Sequence, residues 1–287
     1  GVLNSDLDQY VQILADINSS RLPLFYQLDL RADRTWVFDL WRLWDSEVRK
    51  INPGSRYIAN AGGGALSSLD MKTIGEMADT LFADRQGRSG LMAPWANGKN
   101  GKEYRAALGR KPIVGIFSVG LEEAYRWKDS VQSEAETRVW VADGIANGLR
   151  PWFTKFSGTL HDRRWLKVVE DIYRWHHGAE RYLRNESPLA RVAMVYSQQT
   201  ATFYGGERAR QKVEDPTLGM YHALVEARVP FEMAHDRLLD PEHADRFKLL
   251  ILPNIAALSL EQCEQLRSYV KRGGSLLATF ETSLYDE

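Results

Sequence analysis

FKLLILPNIAALSLEQCEQLRSYVKRGGSLLATF, residues 247–280, decides the fold. Residues 247–253 form an apolar run of strand length. Ser259 opens a helix whose apolar positions recur at helical spacing, and Gly273-Gly274 ends it ahead of a second apolar run. Two parallel strands need a connection long enough to return to the same end of the sheet. Strand, helix and strand in this order therefore read as a right-handed crossover in a parallel sheet.

Working outward, the same alternation extends toward the N-terminus. Strands are expected at 191–196, 230–234, 249–252 and 275–280, with helices at 217–227 and 260–271 and an exposed polar loop at 205–215. Ser187-Pro188 marks a boundary, because it ends a long helical stretch and precedes a new apolar strand. Upstream, residues 36–51 read as an amphipathic helix, with Trp41, Trp44 and Val48 at spacings of three and four, closed by Asn52-Pro53-Gly54. Strands follow at 56–60, 80–84, 113–118 and 151–156, and helices at 71–77, 102–108, 133–147 and 166–183. Four strand-helix units predict a parallel α/β layer in which active groups gather at the C-terminal ends of the strands. The chain thus reads as two α/β domains, 1–188 and 189–287.

Composition narrows the function classes. The 287 residues carry 37 Lys and Arg against 38 Asp and Glu. That balance offers no basic footprint for nucleic acid or an anionic membrane surface, so neither is expected as a partner. No apolar run reaches 18 residues, and GVLNSDLDQY has none of the regions of a signal peptide. A soluble protein is expected, with cytoplasmic and exported locations both open. A single cysteine, Cys263, excludes an internal disulfide and a multi-thiolate zinc site, and its place in an amphipathic helix makes it a small, partly buried packing residue. His176 and His177 are adjacent on a helix and cannot form the i, i+4 pair that binds zinc. Gly62-Gly63-Gly64 fits neither a P-loop nor a dinucleotide fingerprint and reads as a sharp turn. No metal and no cofactor is expected. With no G-x-S-x-G and no Ser or Cys at an evident strand-to-helix elbow, serine-hydrolase and amidotransferase chemistry find no nucleophile.

The strand ending LPN, the helix, and YVKRGGSLL together resemble the middle domain of family 42 glycoside hydrolases, the beta-galactosidase trimerisation domain. LWDSEVRKINPGSRYIAN, DTLFADRQGR, KPIVGIFSVGLEEAYRW and VADGIANGLRPWFTKFSGTLHDRRW, in that order, resemble the second half of the catalytic barrel in the same group. The resemblance implies the C-terminal half of a (β/α)8 TIM barrel, followed by a flavodoxin-like or class I amidotransferase-like parallel α/β domain. It also implies a carbohydrate substrate, hydrolysis of an O-glycosidic bond and a homo-oligomer, by analogy a trimer. A complete barrel of this kind takes about 250 residues, and four units precede Pro188. The chain is therefore expected to be a fragment of a larger enzyme, cut at both ends.

Glycoside hydrolysis ordinarily uses two carboxyl groups across the scissile bond. In the resembled barrels the acid/base Glu follows the fourth strand, which here falls upstream of Gly1. The nucleophile Glu ends the seventh strand, near the end of 113–118, where this chain has Ser118. Glu122 and Glu123 follow four and five residues later and are the catalytic candidates. Their alternative role is pairing with Arg126 or Lys128 in a solvated loop. Asp84 ends a strand at the active face, where a buried carboxylate beside Arg85 would stay ionised and hold sugar hydroxyls. Asn60 closes the first strand and is placed to bind substrate. Trp127 and Trp152 are candidate platforms for apolar sugar faces. Lys155 shares the strand side of Phe153, and a charge inside the barrel would need a carboxylate or substrate as partner. His161 lies in the loop after the last barrel strand, where it binds substrate or, with Asp162, caps the helix. The departure at Ser118 also supports a second reading, a catalytically inactive carbohydrate-binding or assembly protein on the same scaffold.

Overall fold

Among the described residues the apolar runs become eight short strands, and every pairing between them is parallel. This is a computed structural model, which describes residues 23–58, 60–67, 69–88, 91–120, 131–154, 161–184, 186 and 188–285. The chain divides into two units, Gly1–Tyr57 and Ile58–Glu287.

In the first unit, helix α1 (Pro23–Ile51) starts thirteen residues earlier than the Trp-rich periodicity predicts. It stops at Asn52, whose side-chain oxygen accepts the Gly54 N–H at 3.1 Å ahead of the turn. The chain then folds back on the helix. The Tyr57 N–H donates to Asp45 at 2.9 Å, and its ring meets those of Trp41 and Trp44 at 6.1 and 5.2 Å. That backbone hydrogen bond, aided by Arg49, holds the Asp45 carboxyl below the usual range.

The second unit holds two four-stranded sheets. In chain order the first comprises β1 (Asn60–Ala61), α2 (Met71–Met77), β2 (Leu81–Asp84), α3 (Ala96–Leu108), β3 (Ile113–Ser118), α4 (Glu134–Ala146), β4 (Leu149–Thr154) and α5 (Arg164–Ala179). Its strands lie in sequence order, β1-β2-β3-β4, the arrangement of consecutive barrel strands. The second comprises β5 (Val192–Tyr196), the short α6 (Gln198–Thr200), α7 (Asp215–Glu226), β6 (Phe231–His235), α8 (Pro241–Ala244), β7 (Leu249–Pro253), α9 (Leu260–Lys271) and β8 (Ser275–Thr279). Its order, β6-β5-β7-β8, is doubly wound and flavodoxin-like. Ser259 and Gln262 cap α9 reciprocally, and Gly273, at φ 99°, ends it, as the opening stretch predicts.

Residues 205–215 correct the sequence reading. They are helical, a 3-10 turn at Gly206–Arg208 and a π turn at Arg210–Glu214 that run into α7. Apart from Ala209 and Val213 the stretch is glycine and polar residues, so no apolar period announces a helix; fully buried Val213 anchors it. The strand expected at 56–60 is shorter, only Asn60 and Ala61.

Over β5, β6 and β7 both faces of the second sheet are covered, while the edge strand β8 is largely exposed. Ala193, Val195, Leu250 and Leu252 face α8 and α9 with Leu239, Phe247, Leu266 and Tyr269. Met194, Tyr196, Phe231, Met233 and Ile251 face α7 and share their core with Ala65 and Ala106 from the first half. Helix α3 therefore serves two sheets. Its Gly101 lets it approach α4, since a Cβ there would meet Asn147 O at 2.7 Å. Its charges face the other way. The Lys99 ammonium binds Glu103 at 2.5 Å and Glu214 at 2.9 Å, Lys102 donates to Phe231 O at 2.9 Å, and Arg105 lies 3.4 Å from buried Glu232. Burial disfavours the Lys99 charge, but the two carboxylates outweigh it and keep the ammonium protonated. Glu103 is pushed up by burial and by Glu214, which shares the same cation. Of the two carboxylates sharing the ammonium, buried Glu103 is the one held up by burial.

Candidate functional site

Parallel register sorts the first sheet into two faces. Partners in register share a face, so Leu81, Ala83, Ile113, Gly115, Phe117, Leu149 and Phe153 lie together. This is the helix side. Phe117 and Phe153 meet edge to face at 6.0 Å, and Phe153 meets Tyr173 of α5 at 5.6 Å. The opposite face carries Phe82, Asp84, Val114, Ile116, Ser118, Trp152 and Thr154. There the Phe82 and Trp152 rings lean together at 5.3 Å across the intervening strand, and Trp152 remains 45% exposed.

Asp84 ends β2 on this open face and is exposed, not buried as the sequence reading has it. The strand ends there, and among the described residues no helix covers that face to remove it from water. The next residue, Arg85, is also exposed, and its charge lies close enough to favour ionised Glu103. Its carbonyl accepts the Trp140 indole N–H at 3.0 Å. Tyr104 of α3 is buried, which pushes its phenol well up, and its hydroxyl is hydrogen-bonded by the Asp84 backbone. The strand-end loop therefore rests on α3.

Ser118 ends β3 on the same face, with its hydroxyl closed locally. It donates to Gly120 O and accepts from Gly120 N, while Gln132 donates to the Ser118 carbonyl at 2.8 Å. Glu122, Glu123, Trp127 and Lys155 lie outside the described residues, as does the side chain of Asn60. His161 is exposed, and Asp162 accepts the Arg164 N–H at 3.0 Å as α5 begins. Ion pairing with Arg164 holds the Asp162 carboxyl down at about 2. The N-cap itself is Arg163.

The glycines after β1 have a packing reason that sequence reasoning did not supply. A Cβ at Gly63 would stand 2.5 Å from the Tyr104 ring. At Gly64, where φ is +80°, it would stand 2.5 Å from the Glu103 carboxylate. The turn thus lays the loop directly on α3.

A second polar cluster, absent from the sequence reading, fills the strand ends of the other sheet. Ser197 donates to Asp236 at 2.5 Å, His235 Nδ1 lies 2.9 Å from the other Asp236 oxygen, and all three residues are fully buried. Burial works against the Asp236 carboxylate, yet His235, Ser197 and the Gln199 N–H together hold it below the usual range. Ser197 does stand at a strand-to-helix junction, contrary to the sequence reading. Its backbone is ordinary extended chain at φ −133°, it caps α6, and its hydroxyl bonds the aspartate rather than the imidazole. A nucleophilic serine needs the histidine as its base and an exposed oxygen, and this one has neither. The available signal was the polar run Ser197-Gln198-Gln199-Thr200 directly after an apolar strand.

In doubly wound sheets ligands bind where strand order reverses, here between β5 and β7. That crevice is occupied by the chain itself. Ile255, Ala256, Ala257 and Leu258 are buried beside it, and Thr200 exchanges hydrogen bonds with Ala257 at 3.2 Å. Among the described residues no group of three or more His, Cys, Asp or Glu is placed to hold a metal ion, and no helix is long and apolar enough to cross a membrane.

Residues 190–287 match the family model of the beta-galactosidase trimerisation domain. No curated protein matches the chain. Among solved structures, a beta-galactosidase from Bacillus circulans sp. alkalophilus overlays with a TM-score of 0.70 at 14% identity, over 84% of this chain and 38% of that one. The beta-galactosidase of the Antarctic haloarchaeon Halorubrum lacusprofundi gives 0.67 at 16%, over 92% and 43%. A catalytic mutant of a GH42 beta-galactosidase from G. stearothermophilus gives 0.65 at 17%, over 83% and 39%. The chain spans about two fifths of the length of these enzymes. The likeness establishes the fold, half of a barrel followed by a flavodoxin-like α/β domain. The segment from residue 190 is of the beta-galactosidase trimerisation type.

Proposed function

We propose that the chain forms part of a family 42-like glycoside hydrolase acting on O-glycosidic bonds, with a beta-galactoside the first substrate class to assay. Residues 1–188 would form the second half of the catalytic barrel, and 189–287 the trimerisation-type domain of a homo-oligomer. The observation that carries this reading is the open face of the first sheet, where Asp84 and the Phe82–Trp152 pair stand at strand C-termini just ahead of a segment matching that domain. A half-exposed indole suits the apolar face of a sugar, while Asp84 and Arg85 would take its hydroxyls. Asn60, Trp127, Lys155 and His161 would line the same end. Hydrolysis needs two carboxyl groups; Glu122 or Glu123 would supply one, and the barrel strands outside these residues the other.

The test is nitrophenyl glycoside turnover by the longest natural polypeptide containing this sequence. Replacing both Glu122→Gln and Glu123→Gln should lower kcat at least about 10³-fold, on the scale of losing an essential catalytic group. An unchanged rate would remove both from the mechanism. Native mass spectrometry should find three copies, and a monomer would end the assembly reading. One observation favours a non-catalytic alternative, namely that Ser118 stands with its hydroxyl tied to Gly120 where a nucleophile was expected. Oligosaccharide binding without turnover across a broad panel would establish that alternative.

A further inference from the structure

We infer that Gln198, a residue of the trimerisation-type domain, is a positioning residue for the barrel half, where it fixes the loop that leaves the C-terminal end of β1. The inference rests on the reading of those strand ends as a substrate cleft. The loop from Gly62 to Asp70 starts beside Asp84, since Ala61 pairs in register with Ala83. Among the described residues its own bonds centre on Ser67: its Oγ reaches Gly62 O at 2.8 Å and Leu69 O at 3.0 Å and accepts the Leu69 N–H at 3.2 Å, and its N–H donates to Gly64 O at 3.2 Å. A further hold comes from across the chain. Gln198 Nε2 donates to Ser67 O at 3.0 Å and Leu69 O at 2.8 Å, and Gln198 Oε1 accepts the Met71 N–H at 3.0 Å.

Those three partners leave the amide one orientation. Turning it over would aim its oxygen at two carbonyls and its NH2 at an N–H. The same logic reaches His235. Its Nε2 lies 3.1 Å from Gln198 Oε1, so that nitrogen carries a proton and donates. The imidazole cannot rotate away, because it is fully buried beside Asp236, which Ser197 and the Gln199 N–H hold in turn. Arg237, the next residue, pairs with Asp70, the N-cap of α2, at the far end of the loop. Burial opposes ionisation of Asp70, but Arg237 and Thr73 hold its carboxyl below the usual range. The buried polar run after β5 and the His-Asp-Arg run after β6 thus converge on one loop of the other sheet. Gln198 is the part of that network that touches the loop backbone twice and the first residue of α2 once.

Hydrogen exchange and steady-state kinetics on the full natural polypeptide test this together. In Gln198→Ala, exchange of the Met71 amide and of residues 62–70 should accelerate at least tenfold, while the amides of β7 keep their protection. Gln198→Glu keeps the acceptor for Met71 but turns the two donors against carbonyls, and should loosen the loop as well. Unchanged loop exchange in both variants overturns the inference. Equal acceleration in β7 also overturns it, since it would mark general destabilisation. On a nitrophenyl beta-galactoside, kcat/KM should fall at least tenfold in Gln198→Ala, and an unchanged value with a loosened loop refutes positioning. A wild-type polypeptide that turns over no glycoside would instead remove the glycosidase reading, and the exchange result would still decide the clamp.

Discussion

The two sheets are built from the same strand-helix unit, yet only the second has central strands covered on both faces. In the second sheet β5 and β7 are buried on either side, by α8 and α9 on one face and by α7 and the first half of the chain on the other. In the first, the helix side is closed while the other face shows Phe82, Val114, Asp84 and Trp152 partly or fully to solvent. Parallel sheets normally bury both faces. The difference separates a sheet enclosed between its own layers from one that keeps an open face.

The comparison breaks most visibly where the two sheets meet. Lys99→Ala would leave buried Glu103 and half-buried Glu214 without their cation and should cost roughly 3–5 kcal/mol in a denaturant melt. Replacing all three with apolar residues of similar volume should recover most of that loss. If Lys99→Ala melts like wild type, the charged layer is not what joins the sheets. Within the covered sheet, Leu250→Ala removes a fully buried side chain and should cost about 2–5 kcal/mol. A cost below about 1 kcal/mol would mean that β7 is less enclosed than described.

Asp143 sharpens the comparison by pH. Burial beneath α3 raises its carboxyl to about 6, although it accepts the Gly98 N–H. The folded state then holds a proton that the unfolded state, with a carboxyl near 3.8, has released. Stability should fall as pH rises from about 4 to about 6 and level off above. The effect is on the order of 2 kcal/mol, and urea melts of Asp143→Asn across that range should lack it. A wild-type slope of the opposite sign would refute the assignment. The smallest effect belongs to the open face. Trp152→Ala should cost no more than about 1 kcal/mol, because the ring is half exposed, while weakening sugar binding. A large loss of stability would mean that this face is covered after all.

The strand-helix order was legible because short apolar runs and helix stops are local signals. The stretch from Phe247 to Phe280 illustrates this, since β7, the capping box of α9 and Gly273 can be read without distant partners. Elements fixed by distant partners were not legible. Helix α3 begins at Ala96, six residues before its expected start, because Gly98 and Gly101 are tolerated where α4 presses close. The π turn before α7 is polar except for Val213. Gln198, His235 and Asp236 matter through contacts with residues more than a hundred positions away or through one another, which no spacing encodes. Of the candidate residues, Asp84 and Trp152 share one face of the first sheet. His161 stands at the start of α5, where its neighbour Asp162 meets Arg164.

Helix α3 has a consequence for engineering. Its glycines are matched to α4 and its charges to β6 and Glu214, so its sequence answers to two neighbours at once. A recombinant joining the first half of one homologue to the second half of another ahead of β5 would mismatch Lys99, Lys102 and Arg105 with foreign acids. Exchange of the two halves should succeed only when α3 travels with the second sheet or is redesigned to meet it.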